Sequence, residues 1–258
     1  MILVGTSGYS YEDWKGIFYP EDIKDGEMLE YYSKSFGFTE INSTYYKMPN
    51  QFMFKNLVKK VPDGFNFTVK AHGSFTHDRN TAREDALNFI EALKPLSDEG
   101  KLGCVLFQFP YSFHNIKENM DYLKKLREEF DETETVYEFR NSRWACQEAM
   151  EFLKKNQIGW TSVDEPDIKG LVRPVTAVTS EIGYVRFHGR NSQKWYNHKQ
   201  AYERYDYLYS EDELKEWIPR IKYIEKGSRV TFVAFNNHFR SQGAKNASML
   251  KRLLEGVK

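Results

Sequence analysis

The chain alternates short β-rich runs with segments of helical period, and this alternation restricts the fold more than any other feature of the sequence. Eight β-rich runs recur along the chain, at 2–6, 38–42, 65–71, 102–109, 135–139, 159–163, 183–188 and 229–235. Segments of helical period lie between most of them, at 27–36, 51–60, 81–93, 118–130, 146–156 and 211–225, with a last one at 244–254. Eight strands that alternate with helices predict an α/β fold, the (β/α)8 TIM-like barrel.

Residues at the ends of the helical segments agree with this interpretation. Asn50 and Ser210 stand where N-caps are expected, and Glu213 completes a capping box with Ser210. The stretch 165–182, after the sixth run, contains two prolines and a glycine and has no helical period, so we predict an irregular crossover there. No linker, repeat or low-complexity tract interrupts the pattern, and residues 1–258 are predicted to form one domain.

Charge and cysteine content argue against several classes of protein. Thirty-seven basic residues balance 37 acidic ones, so no overall field attracts nucleic acid or anionic membranes, although a local basic patch stays compatible with this balance. Cys104 and Cys146 lie far apart and outside any CxxC spacing, which predicts neither a disulfide framework nor a zinc knuckle. The sequence shows no secretory signal pattern and no apolar run of membrane-spanning length, so we expect a cytoplasmic protein without a membrane partner.

Alternate side chains of a strand point to opposite faces of the sheet, which divides every predicted strand into two sets. One set is almost purely apolar and suits packing against the helices: Ile41, Phe65, Phe67, Val69, Val105, Phe107, Tyr137, Phe139, Val163, Val185, Phe187, Val233 and Phe235. The other set ends in polar residues: Glu40, Asn42, Lys70, His72, Gln108, Glu138, Arg140, Asp164, Arg186, His188 and Asn236.

The polar set lies at the C-terminal ends of seven predicted strands, and we expect it to face the barrel interior at the mouth where TIM barrels form their sites. Glu138 and Arg140, within the stretch TVYEFRNSRW, would pair there and meet a ligand. The alternative is a buried ion-pair network that only fills the barrel. We favour a site because barrel interiors are usually apolar. A register error of one residue in any strand would remove that strand's polar residue from the interior.

Several longer fragments, taken in order, resemble one protein family. The fragments are VGTSGYSYEDWKGIFYP, EINSTYYKMP, FTVKAHGSFTH, LGCVLFQFP, YEFRNSRW, VRFHG and FNNHFRSQGAKNA. They resemble the YecE-like family, a domain-of-unknown-function family with a TIM-barrel-like fold, from Gly5 to about Leu254. The resemblance implies the barrel and no particular reaction. The positions it marks are Glu40, Asn42, Lys70, His77, Gln108, Glu138, Arg140, Asp164, Arg186, His188, Gly189, Asn236 and Asn237.

Aromatic residues in the loops are candidates for stacking on a ligand. The loop GTSGYSYEDW follows the first strand, and small residues such as Ser7 in it could offer backbone N–H groups to an anion. Its spacing matches neither a Walker A nor a Rossmann glycine motif, and a tight turn with an aromatic cap is an equal alternative. The residues expected to stack on a ring are Tyr9, Trp14, Tyr45, Tyr46, Trp144 and Trp195.

Carboxylates and histidines supply candidate acid–base or metal-binding groups. The candidate catalytic residues are Glu40, Glu138, Asp164 and His188. With His72 or His77 these residues could bind a divalent metal, but no HxH or HExxH spacing supports this, and neighbouring cationic side chains would compete for the carboxylates. His77 is otherwise a general base, a ligand contact or an ordinary surface histidine. Two carboxylates across a cleft could also cleave a glycosidic bond, which depends on their separation.

Arginines and asparagines follow the seventh and eighth strands. Arg186 and Arg190, in VRFHGRNSQKWYN, suit phosphate, which arginine binds bidentately and which barrels often hold near these strands. A solvated loop with chance charges is the alternative. Asn236 and Asn237 could hold a hydroxyl-rich or phosphate ligand or close the barrel, and we favour the closing role for one of them.

These residues predict a protein that binds or hydrolyses an anionic, ring-containing ligand, which is a phosphorylated sugar, a nucleotide or nucleic acid. The expected ligand-binding residues are Ser7, Tyr9, Trp14, Asn42, Lys70, His72, His77, Gln108, Arg140, Trp144, Arg186, Arg190, Trp195, Asn236 and Asn237. Phosphoester hydrolysis is the first reaction to expect. Two alternatives stay open. One is a glycosidase or sugar isomerase for a neutral sugar, whose affinity would hardly depend on salt, and the other is a non-catalytic nucleic-acid or ligand-binding module.

Overall fold

Eight parallel strands form a closed barrel in the computed structural model, which describes residues 1–256. The strands are β1 (Ile2–Ser7), β2 (Phe38–Ile41), β3 (Asn66–Lys70), β4 (Leu102–Gln108), β5 (Thr135–Glu138), β6 (Gly159–Asp164), β7 (Ile182–Phe187) and β8 (Val230–Phe235). They pair in chain order, and β8 closes the barrel by pairing with β1. The predicted (β/α)8 barrel is therefore confirmed.

Helices surround this barrel. They are α1 (Met28–Ser33), α2 (Ser43–Tyr46), α3 (Gln51–Val58), α4 (Arg83–Asp98), α5 (Lys117–Glu129), α6 (Gln147–Lys155), α7 (Glu211–Lys215), α8 (Ile218–Gly227) and α9 (Gln242–Gly256). Short 3-10 helices cover Glu12–Trp14, Asp25–Glu27, Ser142–Trp144, Ala201–Tyr205 and Phe239–Ser241, and a π-helix covers Ser74–Asp78. Within the described part of the chain, no helix is long and apolar enough to cross a membrane.

The helix ends follow the capping residues of the sequence. The side chain of Asn50 accepts a hydrogen bond from the backbone N–H of Met53, and Ser210 and Glu213 form the predicted capping box. The single helix predicted at 211–225 is instead two helices, because Pro219 lies in the first turn of α8, where its missing N–H is tolerated. The predicted irregular crossover between β6 and β7 is confirmed, since the described residues 165–181 form no helix or strand.

Two apolar clusters separate the inside of the barrel from the outside. The inner cluster fills the lower part of the barrel and consists of Phe38, Cys104, Leu106, Val136, Ile182, Tyr184, Val230, Phe232 and Ala234. The outer cluster packs the opposite faces of the strands against the helices. Strand register places the polar ends on the inner side, since Lys70 pairs with Leu106 and Arg186 with Ala234. The predicted division of side chains is confirmed for these strands.

Strand β6 contradicts that division. Asp164 pairs in register with the outward-facing Phe187, whereas Val163 pairs with the inward-facing Arg186. Asp164 therefore points outward and Val163 inward, the reverse of the prediction. The reason lies at Trp160, which pairs in register with the outward-facing Tyr137 and whose large side chain sets the alternation of the strand.

Candidate functional site

A buried arginine bridges two buried carboxylates above the inner apolar cluster. Arg186 donates to Glu40 Oε1 through Nη2 at 2.7 Å and to Glu138 Oε2 through Nη1 at 2.6 Å. Its side chain is 2% exposed, and both carboxylates are fully buried. Tyr184 donates its hydroxyl to the second oxygen of Glu40 at 2.8 Å. Closure of the barrel brings these groups together from β2, β5 and β7, and each carboxylate is held by hydrogen bonds to charged or polar donors.

A second arginine extends this chain of ion pairs. Arg140 Nε lies 2.7 Å from Glu138 Oε1, and Arg140 Nη1 donates to Glu165 Oε2 at 2.6 Å. Glu165 directly follows Asp164, and it supplies the carboxylate that the sequence analysis assigned to Asp164. The sequence predicted the opposite inward and outward faces for β6, so it did not reveal the ion pair between Arg140 and Glu165.

His188 lies at the centre of the same network. Its side chain is fully buried, with Nε2 3.2 Å from Glu138 Oε1 and 3.1 Å from Arg140 Nη2, and Nδ1 3.1 Å from Asn236 Nδ2. Burial and the positive charge of Arg140 lower the pKa of His188 to about 3, so the ring is neutral at physiological pH. We call this set the charged floor: Glu40, Glu138, Arg140, Glu165, Arg186 and His188.

The carboxyl groups of the charged floor have opposite pKa shifts. Burial alone would raise the pKa of Glu138, but Arg140 and Arg186 outweigh it and hold the pKa well below its usual range. Burial dominates at Glu165 and raises its pKa to about 7. A glycosidase needs one carboxylic acid that stays protonated at the scissile bond. Glu165 has the raised pKa that this role requires, but it is paired with Arg140 and does not line the cavity above the charged floor, and Glu138 is kept ionised, so the arrangement does not favour that chemistry.

A cavity of about 520 Å³ opens above the charged floor. Its polar lining consists of Ser10, Glu40, Asn42, Ser43, Lys70, Gln108, Arg140, Arg186 and Asn236, and the rest consists of Gly8, Tyr9, Tyr11, Ile41, Tyr45, Tyr46, Met53, Leu57, Tyr205 and His238. The cavity therefore has a polar base and a largely aromatic and aliphatic wall.

Lys70 is the cation of this cavity that lacks an acidic partner. Its Nζ donates to Gln108 Oε1 at 3.0 Å and lies 4.3 Å from the ring centroid of Tyr45. No carboxylate of the described residues forms a salt bridge with it. Burial, followed by repulsion from Arg186, lowers the pKa of Lys70 to about 8. The ammonium group keeps hydrogen-bonding capacity for a ligand.

Asn42 presents an unused acceptor at the same cavity. Its side-chain oxygen is buried and has no hydrogen-bond partner among the described residues. Buried polar atoms are normally hydrogen-bonded, so an unpaired amide oxygen in the lining of a cavity suits a hydroxyl or N–H group of a ligand.

A model of the family described as "Protein of unknown function DUF72" matches residues 3–258. This chain belongs to the DUF72 family. It is 31% identical to the UPF0759 protein YunF of Bacillus subtilis, over 99% of the chain and 95% of YunF. A crystal structure of a DUF72 protein from Thermotoga maritima has a TM-score of 0.92 and 41% identity, with 99% of both chains covered. One from Enterococcus faecalis has a TM-score of 0.88 and 28% identity, covering 99% of this chain and 96% of that one.

These relatives confirm the expectation of a barrel family of unknown function. The more specific assignment to the YecE-like family rests on the sequence fragments alone. The DUF72 match describes no ligand and no reaction, so the function of the barrel has to be argued from its site.

The predicted stacking residues separate into two groups in this DUF72 barrel. Tyr9, Tyr45 and Tyr46 line the cavity, whereas Trp14, Trp144 and Trp195 do not. The first two tryptophans are fully buried, and each indole donates to a backbone carbonyl. Trp195 is 3% exposed and covers the guanidinium of Arg140 at 5.8 Å. The three tryptophans therefore do not line this cavity, because their large apolar surfaces pack beneath the loops.

Asp164 and Arg190 form a separate cluster outside the cavity. The Asp164 carboxylate accepts hydrogen bonds of 2.7 Å from Arg190 Nη2, the Tyr209 hydroxyl and Trp217 Nε1. All these groups lie on the outer side of β6. Asp164 and Arg190 therefore lie outside the cavity above the charged floor and beside a separate cleft, with the Asp164 carboxylate held by internal donors, and their expected roles in catalysis and ligand binding stay predictions.

Asn236 and Asn237 have different positions. Asn236 lines the cavity and contacts His188. Asn237 is fully buried, and its Nδ2 donates to the Tyr207 carbonyl at 2.8 Å and to Asn246 Oδ1 at 2.9 Å. These bonds join the end of β8 to the segment before α7 and to α9, so they are not the predicted link between β8 and β1, and Asn237 does not line the cavity.

Ser7, His72 and His77 also lie outside the cavity lining. Ser7 Oγ is 3.4 Å from Arg186 Nη2, below the cavity, and the ring of His72 is 2.8 Å from Ser74 Oγ. His77 contacts the edge of Tyr45 at a ring separation of 5.1 Å, and burial lowers its pKa. None of the three contributes to the cavity lining, although Ser7 and His77 each contact a residue that does.

The site does not fit the divalent metal that the sequence left possible. Among residues 1–256 no group of three or more His, Cys, Asp or Glu side chains is arranged to hold a metal ion. The carboxylates of Glu40, Glu138 and Glu165 are already engaged by arginines. We derive no metal chemistry for this site.

Three ring-bearing residues of the cavity lining, Tyr11, Tyr205 and His238, were missing from the predicted site. Tyr11 stacks on His238 with ring centroids 4.7 Å apart, and Tyr205 lies 5.8 Å from the same imidazole. The aromatic run after β1 and the FNNH stretch after β8 carried a signal for Tyr11 and His238. Nothing in the sequence distinguishes Tyr205 from the other tyrosines, because its loop is placed by tertiary packing.

Proposed function

We propose that this barrel binds a small phosphorylated, ring-containing ligand, a phosphorylated sugar or a nucleotide, in the cavity above the charged floor. Lys70 carries this proposal. It is a partly buried cation at the base of the cavity, and no carboxylate of the described residues forms a salt bridge with it, although Glu138 and Glu40 lie near enough to favour its charged form. A cation that is partly removed from water and has no ion-pair partner would be stabilised by an anionic group of a ligand.

The remaining lining supports the same class of ligand. A cavity of about 520 Å³ has the size of a small-molecule site. The rings of Tyr9, Tyr45 and Tyr46 offer a stacking wall, and Asn42 Oδ1 offers an acceptor for a hydroxyl group. Arg140, whose side chain is 12% exposed, also lines the base of the cavity, but its charge is balanced by Glu138 and Glu165.

The charged floor supports binding more directly than hydrolysis. His188 stays neutral and Glu138 stays ionised near pH 7, so neither changes its protonation state easily there. Lys70 is the cavity group whose pKa, about 8, lies near physiological pH. Hydrolysis of a phosphoester is the first reaction we would assay, in which water attacks phosphorus, the sugar or nucleoside hydroxyl leaves, and Lys70 stabilises the charge on the phosphoryl oxygens.

Titration calorimetry with matched ligands tests the proposal. Glucose 6-phosphate against glucose, and adenosine monophosphate against adenosine, isolate the contribution of the phosphate. We expect the phosphorylated compound of each pair to bind at least about tenfold more tightly than the other. Raising the salt concentration from about 0.05 M to about 0.5 M should weaken the affinity for the phosphorylated compound several-fold.

Two variants locate the binding. Lys70→Met should remove most of the preference for the phosphorylated compound. Lys101→Met is the control, because Lys101 is buried just before β4, at the opposite end of the barrel, where it donates to the Pro62 carbonyl and lies 3.8 Å from Asp63 Oδ1. Equal affinity for glucose and glucose 6-phosphate in the wild type would contradict the proposal and favour a neutral sugar. Tight binding of oligonucleotides alone would favour a nucleic-acid-binding module.

A further inference from the structure

We propose that Lys70 is also a nucleophile, and that its neutral amine forms an imine with the open-chain carbonyl of an aldose or ketose phosphate bound in the cavity. The ammonium form that holds a phosphate and the amine that attacks the carbonyl are then alternative states of Lys70, occupied in different binding modes of the ligand. This inference rests on the proposed function and deepens it, because it specifies the class of phosphorylated ligand and the chemistry available to it. Of the described residues that line the cavity, Lys70 is the only lysine.

The surroundings of Lys70 suit a reactive amine. Its Nζ contacts one amide oxygen, that of Gln108, and the face of the Tyr45 ring. Ile41, Met53 and Tyr45 belong to the wall of the same cavity, so part of the surroundings is apolar. An amine that lies in a partly apolar pocket without a carboxylate partner is activated as a nucleophile, because its charged form is disfavoured.

The charged groups around Lys70 shift its pKa in opposite directions. Arg186 and Arg140 disfavour its ammonium form, whereas Glu138 and Glu40 favour it. Burial is the largest influence, and the net result is a pKa of about 8. Roughly a tenth of the Lys70 side chains are then neutral amines at pH 7, compared with less than roughly a thousandth for an ordinary lysine.

The step is balanced without any further reactant. The lone pair of the neutral Lys70 nitrogen attacks the carbonyl carbon, and the carbonyl oxygen takes up the proton that the nitrogen loses. The resulting carbinolamine eliminates its hydroxyl group with the second nitrogen-bound proton as water, which leaves a C=N bond. The unpaired oxygen of Asn42 could accept a hydrogen bond from a sugar hydroxyl during this step.

Trapping by reduction tests the imine. The wild-type protein is incubated with glyceraldehyde 3-phosphate, or with glyceraldehyde as the phosphate-free probe, in the presence of cyanoborohydride, and labelled lysines are mapped by peptide mass spectrometry. Lys94 is the internal reference, because it is exposed and its hydrogen bond to Glu91 raises its pKa. We expect Lys70 to be labelled at least about tenfold faster than Lys94 near pH 7.5.

The pH dependence of labelling and a Lys70 variant test the same imine independently. Labelling of Lys70 should rise with pH around a midpoint near 8, whereas labelling of Lys94 should keep rising above pH 10. Lys70→Arg keeps a cation at this position but has no primary amine, so the label at this position should disappear while the label at Lys94 stays.

The outcomes separate this inference from the proposed function. Labelling of Lys70 that inorganic phosphate suppresses would support both. Absence of label at Lys70, in protein that labels at Lys94 and binds glucose 6-phosphate, would overturn the imine and leave the proposed function intact. Rapid labelling of Lys70 by both probes at equal rates, without protection by phosphate, would support the imine and contradict phosphate binding.

Discussion

Arg186 is the residue on which the electrostatics of the barrel interior depend. It neutralises Glu40 and Glu138 at once, and all three side chains are buried. The sequence predicted that these groups face the interior, but it could not predict which charges pair. Arg186 lies 146 positions from Glu40 and 48 from Glu138, and only closure of the barrel decides their contacts. The predicted alternative, an ion-pair network that fills the barrel, describes these three residues well.

Replacing Arg186 by Met should destabilise the protein by about 3–5 kcal/mol, because two buried carboxylates would lose their common partner. The free energy of unfolding in urea measures this. Arg229→Met is the control, since Arg229 is 59% exposed and its ion pairs with Glu134 and Glu181 lie at the surface. The control should change stability by less than about 1 kcal/mol. If Arg186→Met lowered the free energy of unfolding as little as Arg229→Met does, the interpretation that Arg186 and its carboxylates stabilise one another in the charged floor would be contradicted.

The raised pKa of Glu165 has a consequence for the dependence of stability on pH. Burial raises this pKa to about 7 in the folded protein, above its value in the unfolded chain. The folded state therefore binds the proton more tightly, so the contribution of Glu165 to stability is fully present below about pH 4.5 and is lost as pH rises through about 7.

Glu165→Gln should remove this dependence. The stability of the wild type minus that of the variant should fall by about 3 kcal/mol between pH 4.5 and pH 7, at about 1.4 kcal/mol per unit of pKa difference. Urea unfolding at several pH values gives the difference, and titrating groups shared by both proteins cancel in it. A difference that stays constant, or that rises with pH, would show that Glu165 is ionised throughout this range.

At the scale of the element, strand β6 shows where prediction from sequence fails. In the other strands one set of side chains is plainly apolar, and the faces could be assigned from that contrast. In β6 the alternating sets are Gly159, Thr161 and Val163 against Trp160, Ser162 and Asp164, and both are mixed. The size of Trp160 was the available signal, since so large a ring fits the outer core better than the narrow interior.

The outward position of Asp164 predicts the behaviour of Asp164→Asn. Asparagine carries no charge, and its Nδ2 would face donors such as Trp217 Nε1. We expect a loss of about 2–3 kcal/mol in the free energy of unfolding. Affinity for glucose 6-phosphate should be unchanged, because Asp164 lies outside the cavity. Asp167→Asn, at an exposed position in the same crossover, should leave both quantities nearly unchanged. Loss of binding with stability intact in Asp164→Asn would support the catalytic assignment.

At the scale of the whole molecule, closure of the eight strands divides the barrel interior into an apolar part that stabilises the fold and a polar part that forms the candidate site. The inner apolar cluster fills the lower barrel, the charged floor lies above it, and the cavity occupies the C-terminal mouth. The sequence predicted the barrel and the end that carries polar groups, because both follow from local periodicity. It did not reveal that Lys70 lacks an acidic partner whereas both arginines have one, since this depends on contacts between distant strands.

The most direct test of the phosphate site is a crystal structure of the protein soaked with glucose 6-phosphate. We predict electron density for the phosphate within hydrogen-bond distance of Lys70 Nζ, with the sugar between Tyr45 and Asn42. The matched soak with glucose should leave the position beside Lys70 without phosphate-like density. Density for the phosphorylated sugar only at the outer surface, with Lys70 still bound to Gln108 and the cavity filled by water, would contradict the account.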